Sequence, residues 1–148
     1  MKPFKSSEQH GHYIVERAIT GAEIMAFAQQ LIARKFRRGR VLCSPDETRR
    51  FFMLKLAKYE HEVFCVLFLD NKHQVLKFEE MFRGTLNAAN VYPREVVKRA
   101  LYHNAAAVVL VHNHPSGVAD PSIADRRITE RLIDALDLVD VKVLDHFI

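Results

Sequence analysis

The residues with most to offer chemically lie in one stretch, His112-Asn113-His114-Pro115-Ser116-Gly117-Val118-Ala119-Asp120-Pro121-Ser122-Ile123-Ala124-Asp125. The two histidines stand two residues apart at the end of an apolar run. On a strand, side chains at that spacing share one face, so both imidazoles can converge on one point. Asp125 follows eleven residues after His114, on what reads as the first turn of a helix capped by Ser122. Two neutral imidazoles and one carboxylate suit a catalytic zinc ion with a fourth position left for water. Water held there can have its pKa lowered to about 7, which supplies hydroxide near neutral pH. Hydrolysis also needs a group to carry the water's proton, and Glu62, at the head of another apolar run, is the candidate general acid/base. Each residue has a plainer role open to it. His-x-His can end a strand without a ligand, Ser122-x-x-Asp125 is a helix capping box by itself, and Glu62 can be a solvated charge. Their joint occurrence favours a metal site.

Stepping outward from these residues, the chain reads as an α/β domain with an N-terminal appendage. Residues 1–18 are polar and without clear period, which predicts a flexible arm. Thr20-Gly21-Ala22-Glu23 is a capping box, followed by Ile24, Phe27, Leu31 and Ile32 on one helical face, with Gly39 suited to the stop. Ser44 and Pro45 open a second helix that runs to about Lys58. Residues 62–69 are a β-branched and aromatic run, read as a buried strand. After a turn at Asp70-Asn71-Lys72, strands are expected at 74–78 and 81–86. Pro93 opens a helix to about His103 with Val96, Val97, Ala100 and Leu101 inward. A buried strand follows at 106–112, then the loop 114–121, a helix at 122–136 and a last strand at 141–148.

The chain has 148 residues, of which 49% are hydrophobic and 27% charged, the composition of an ordinary globular domain. Its longest apolar runs, 63–69 and 105–111, are far below the roughly 20 residues needed to span a bilayer, so no membrane partner is expected. The opening residues lack an apolar secretory core. Cys43 and Cys65 are too few for a disulfide framework and read as reduced thiols. Both point to the cytoplasm. Charge is uneven: residues 1–50 hold ten Lys/Arg against five Asp/Glu, and the remainder twelve against thirteen. The excess gathers at Arg34, Lys35, Arg37, Arg38 and Arg40. This cluster is either a helix C-terminus favoured by the dipole or a surface for a phosphate backbone or an acidic protein.

The spacing His112-x-His114, seven residues, Ser122, two residues, Asp125 resembles the JAMM motif of MPN/JAB-domain zinc metalloproteases. The words LVHNHPSG, PSIAD, GTLNAANVYPREVVKRALYHNAAAVVL, EVFCVLFLD and VLDHFI resemble the JAB domain of the RadC family of bacterial proteins, over residues 44–148. The resemblance implies a three-layer α/β fold of the cytidine-deaminase-like kind, a mixed sheet flanked by helices, preceded at 1–43 by the arm and basic helix. It implies one zinc per chain, bound by His112, His114 and Asp125, with Glu62 as general acid/base and Ser122 stabilising the oxyanion. The implied reaction is peptide or isopeptide hydrolysis, with a peptide or protein as substrate. Asn113 stands where many JAMM proteases have Ser or Thr, and Asn is usual among RadC relatives. The helix-hairpin-helix of longer RadC proteins is not recognisable in residues 1–43. The alternative expectation is a DNA-repair-associated accessory protein, with the JAB domain as a platform and the Arg34–Arg40 cluster on nucleic acid. The letters His112-Asn113-His114 also spell HNH, but nucleases of that name take these residues from separate elements.

Overall fold

The computed structural model describes residues 3–41, 44–57, 59–84 and 90–148, with the backbone alone at Lys35. They form two compact units, Met1–Lys35 and Phe36–Ile148.

In the first unit, strands β1 (Phe4–Ser6) and β2 (Tyr13–Val15) pair antiparallel, with Phe4 opposite Val15. Gly11 takes φ +80° in the connecting turn, a left-handed conformation that glycine adopts without steric cost. The expected flexible arm is thus a hairpin. Its order comes from aromatic contacts that no local period reveals: Phe27 of helix α1 (Gly21–Lys35) stacks on Phe4 at 3.9 Å and meets Tyr13 edge-on at 4.9 Å. The capping box at Thr20 is present, with Glu23 N–H donating to Thr20 Oγ1 (3.2 Å) and Thr20 N–H to Glu23 Oε2 (3.0 Å). Such a cap is worth about 1 kcal/mol.

The second unit begins at Phe36, eight residues before the expected boundary at 44. Phe36 stacks on Phe51 at 3.8 Å, and Gly39 and Arg40 exchange backbone hydrogen bonds with Val75, so this segment already belongs to the larger core. Helix α2 (Pro45–Leu56) is capped by Ser44; Lys58, its expected end, lies outside the described residues, as does Cys43. Strand β3 (Val63–Leu69) is buried at every position. It runs antiparallel to β4 (Val75–Arg83) on one side and to β5 (Ala107–His112) on the other. Helix α3 (Pro93–Tyr102) precedes β5, and helix α4 (Ile123–Asp137) follows it and leads to β6 (Lys142–Phe147), which pairs parallel with β5. The sheet order is β4-β3-β5-β6.

Both faces of the sheet are covered, which explains the unbroken apolar runs of β3 and β5. Phe64, Val66, Phe68, Val108 and Leu110 face Val96 and Ala100 of α3 and Leu132 and Leu136 of α4. On the opposite face, Phe51 and Phe52 of α2 pack on Phe78, and Phe52 also meets Phe147. The expected three-layer α/β arrangement is therefore the observed one.

Two expectations are corrected. The strands at 74–78 and 81–86 are one strand as far as Arg83, with Leu86 outside the described residues. Glu79 and Glu80 resemble a turn in sequence. On this edge strand they are instead held by side chains: Glu79 by Arg99 and His103, Glu80 by Tyr59 and Arg83. Leu101 is 57% exposed, because the stripe α3 buries is narrow and centred on Val96 and Ala100. Among the described residues, no helix is long and apolar enough to cross a membrane.

Candidate metal centre

His112 is the last residue of β5 on the face shared with Val108 and Leu110. It therefore continues a hydrophobic row to the end of the sheet, where it is 2% exposed and lies over Phe64. Two residues on, the chain leaves the strand and turns. Gly117 takes φ +77° and donates its N–H to the His114 carbonyl. That turn brings the Val118 carbonyl to His114 Nδ1 (2.7 Å). A carbonyl only accepts, so Nδ1 of His114 carries the proton, and Nε2 of the neutral ring presents a lone pair. Asp125 is placed by the first turn of α4. Ser122 Oγ accepts from Asp125 N–H (3.1 Å), and Ser122 N–H donates to Asp125 Oδ2 (2.7 Å).

These elements bring three ligand-type side chains together. His112 Nε2 and His114 Nε2 lie 2.8 Å apart, and the carboxylate oxygens of Asp125 lie 3.2 Å from the first and 3.3 Å from the second. The three residues can hold a metal ion, each offering one ligand atom. Their donor set fits zinc, and the geometry leaves Nδ1 of each imidazole engaged elsewhere, as metal-bound histidines require.

Electrostatics agree with that use. Burial, reinforced by neighbouring His146, pushes His112 down to about 4, so the ring is neutral at physiological pH and its nitrogen is free to ligate. Burial works to raise the Asp125 carboxyl, but the hydrogen bonds from Ser122 and the adjacent histidines outweigh it and hold the group below its usual range.

A cleft of about 590 Å³ opens beside the three ligands and is lined by Glu62, Ser122 and Arg131 as well. Glu62 and Ser122 thus face the same space as His112, His114 and Asp125. The Ser122 cap bond uses a lone pair of Oγ and leaves its proton able to donate. Glu62 is held in place through its backbone. Asn113 Oδ1 accepts from Val63 N–H (2.8 Å), Asn113 Nδ2 donates to the His61 carbonyl (3.0 Å), and Gly84 N–H donates to the Glu62 carbonyl (2.8 Å). Asn113, between the two histidines, therefore clamps the chain on both sides of Glu62.

The basic residues do not gather in one element. Arg34 and Lys35 end α1 in the first unit, whereas Arg37, Arg38 and Arg40 belong to the turn that opens the second; the four arginines are exposed. Three residues that support the site have roles that only the tertiary structure reveals. Asn113 shows in the sequence as a departure from a motif and as the middle letter of HNH, not as a clamp on β3. His146 and Thr129 were not singled out, although His146 Nε2 lies 2.8 Å from His112 Nδ1, and His146 Nδ1 lies 2.6 Å from Thr129 Oγ1. The VLDHFI word that contains His146 was the one available signal.

A family model described as the RadC-like JAB domain matches residues 42–148. A UPF0758 protein of Vibrio campbellii is 58% identical over 125 residues, 84% of this chain and 56% of the relative. A UPF0758 protein of Thioalkalivibrio sulfidiphilus is 56% identical over the same shares. A shorter UPF0758 protein of Vibrio cholerae is 50% identical over 140 residues, 95% of this chain and 88% of its own length. The chain spans about half the length of most of the curated relatives it matches, 56% in the case of the first. Their names state no activity.

Proposed function

This chain belongs to the RadC-like JAB-domain family, and from that premise we propose that it is a zinc-dependent metallohydrolase of the JAMM type, acting as a peptidase or isopeptidase. The observation that carries the reading is the convergence of His112 Nε2, His114 Nε2 and the Asp125 carboxylate on one point, in a cleft that Glu62 and Ser122 also line.

His112, His114 and Asp125 would hold the ion. Bound there, zinc would acidify a water molecule and polarise the substrate carbonyl. The Glu62 carboxylate takes a proton from the attacking water and delivers it to the leaving nitrogen, the exchange a single positioned acid/base can perform in both directions. Ser122 Oγ–H donates to the oxygen that gains charge as the carbonyl carbon becomes tetrahedral. The proposed substrate is a peptide or a protein tail.

The test is elemental analysis of protein purified without chelator, paired with hydrolysis of a mixed peptide library. About one zinc per chain is expected, together with chelator-sensitive cleavage. Protein that carries no zinc and takes up none on incubation would sink the reading.

A further inference from the structure

We propose that Thr129 and His146 form a positioning relay that sets the tautomer of His112 and ties the helix and sheet ligands of the metal site to each other; the inference rests on reading His112, His114 and Asp125 as that site. Its direction follows from a single acceptor. The Asp125 backbone carbonyl has no proton to give, so Thr129 Oγ1, 2.6 Å away, donates to it. A threonine in a helix often bonds back four residues in this way. With its one proton engaged, Thr129 Oγ1 can only accept from His146 Nδ1 at 2.6 Å. The proton of a neutral His146 is then on Nδ1, and its Nε2 accepts from His112 Nδ1 at 2.8 Å. His112 is left with a lone pair on Nε2, the atom that faces His114 and Asp125. The chain starts on the backbone of one ligand and ends on the ring of another, so it closes a circuit through α4, β6 and β5.

The sheet is built to make this contact. Along β5 and β6 the pairing runs Ala107 with Lys142 and Val108 with Val143, then shifts, so that Val109 pairs with Asp145 and Leu110 with His146. The extra residue at Leu144 is a bulge, a device that re-aims side chains. Without it, Leu110 would face Asp145, and His146 would turn to the opposite side of the sheet with Val111. The bulge instead sets His146 against Phe64 and His112.

Two measurements test the relay. In zinc-loaded protein, long-range proton–nitrogen NMR reports which ring nitrogen of His146 carries the proton. Nδ1 is expected; a proton on Nε2 overturns the proposal without any variant. Thr129→Val then removes the hydroxyl with little change of shape, and Thr129→Ser restores it. Zinc affinity, read by competition with a chromophoric chelator, should fall about 10- to 100-fold for Thr129→Val and return close to wild type for Thr129→Ser, with circular dichroism unchanged. Wild-type affinity in Thr129→Val overturns the relay while leaving the metal site standing. If Thr129→Val does not fold, His146→Gln takes its place, with the same loss expected and the same wild-type result fatal. A wild-type protein that binds no zinc overturns the metal site and the relay together.

Discussion

His112 and Asp125 each offer one atom to the proposed metal site, and among the described residues no second group of three ligand-type side chains is found. His112→Ala or Asp125→Ala should therefore reduce bound zinc from about one per chain to a trace, measured by elemental analysis after dialysis. Glu62→Gln keeps shape and removes only the proton-carrying function. Zinc content should stay at the wild-type level while turnover drops by 10²- to 10⁴-fold, roughly the range for a lost general acid/base. A fully active Glu62→Gln protein would remove Glu62 from the role. Asp125 carries a further load. One of its oxygens already accepts the Ser122 N–H at the start of α4, where the helix dipole is positive. In the proposed site, less of its negative charge would be available to quench the ion, which would favour polarising power over tightness of hold. At this scale the sequence was informative where the ligands are close along the chain. His112, His114, Ser122 and Asp125 fall within fourteen residues, and local periodicity places them. His146 was hidden because a bulge at Leu144 breaks the period of two.

Elements are held in register by a few side chains that reach across them. Asn113 joins the end of β5 to the start of β3 through two backbone hydrogen bonds. Asn113→Ala leaves the His61 carbonyl and the Val63 amide without these partners and should cost about 1–3 kcal/mol in denaturant unfolding. Because those groups flank Glu62, turnover should fall while zinc content holds. Glu79 joins β4 to α3. The hydrogen bond from Arg99, against the opposing pull of burial and with help from His103, lowers the Glu79 carboxyl below its ordinary 4.5. A carboxyl depressed in the folded state adds stability that is complete above the unfolded value and lost as pH falls through the folded one. Glu79→Gln should then cost about 1–2 kcal/mol at neutral pH and lose less melting temperature than wild type as pH drops below 4.5. Element type was largely readable: the β-branched run of β3, the Ser44-Pro45 helix start and the Ser122 cap all appear where composition and capping rules put them. What was lost were the places where tertiary contacts override local pattern. The hairpin of residues 4–15 depends on Phe27, and the continuity of β4 through Glu79 and Glu80 depends on Arg99, Tyr59 and Arg83.

At the scale of the whole molecule, the net charge of +4 resides in the N-terminal third. The five clustered basic residues, Arg34, Lys35, Arg37, Arg38 and Arg40, are shared between two compact units. Should nucleic acid be a partner, Arg37→Gln with Arg38→Gln should lower retention on DNA at low salt and flatten its salt dependence, with zinc content untouched. Equal retention by the double variant would separate the cluster from any such role. The larger unit raises a different matter, the order of assembly. Glu62 precedes β3, His112 ends β5 and Asp125 begins α4, and all three are anchored on the apolar core that runs from Phe64, at the edge of the cleft, through Val66 to Leu132 and Leu136. Under the proposed reading, the cation would be a late guest in a house already standing. Unlike a small zinc finger, which has no structure until its ion arrives, this protein should keep its circular dichroism spectrum when a strong chelator strips it, surrendering only the margin of stability that ligand binding confers, and should recover cleavage on re-addition of zinc without refolding.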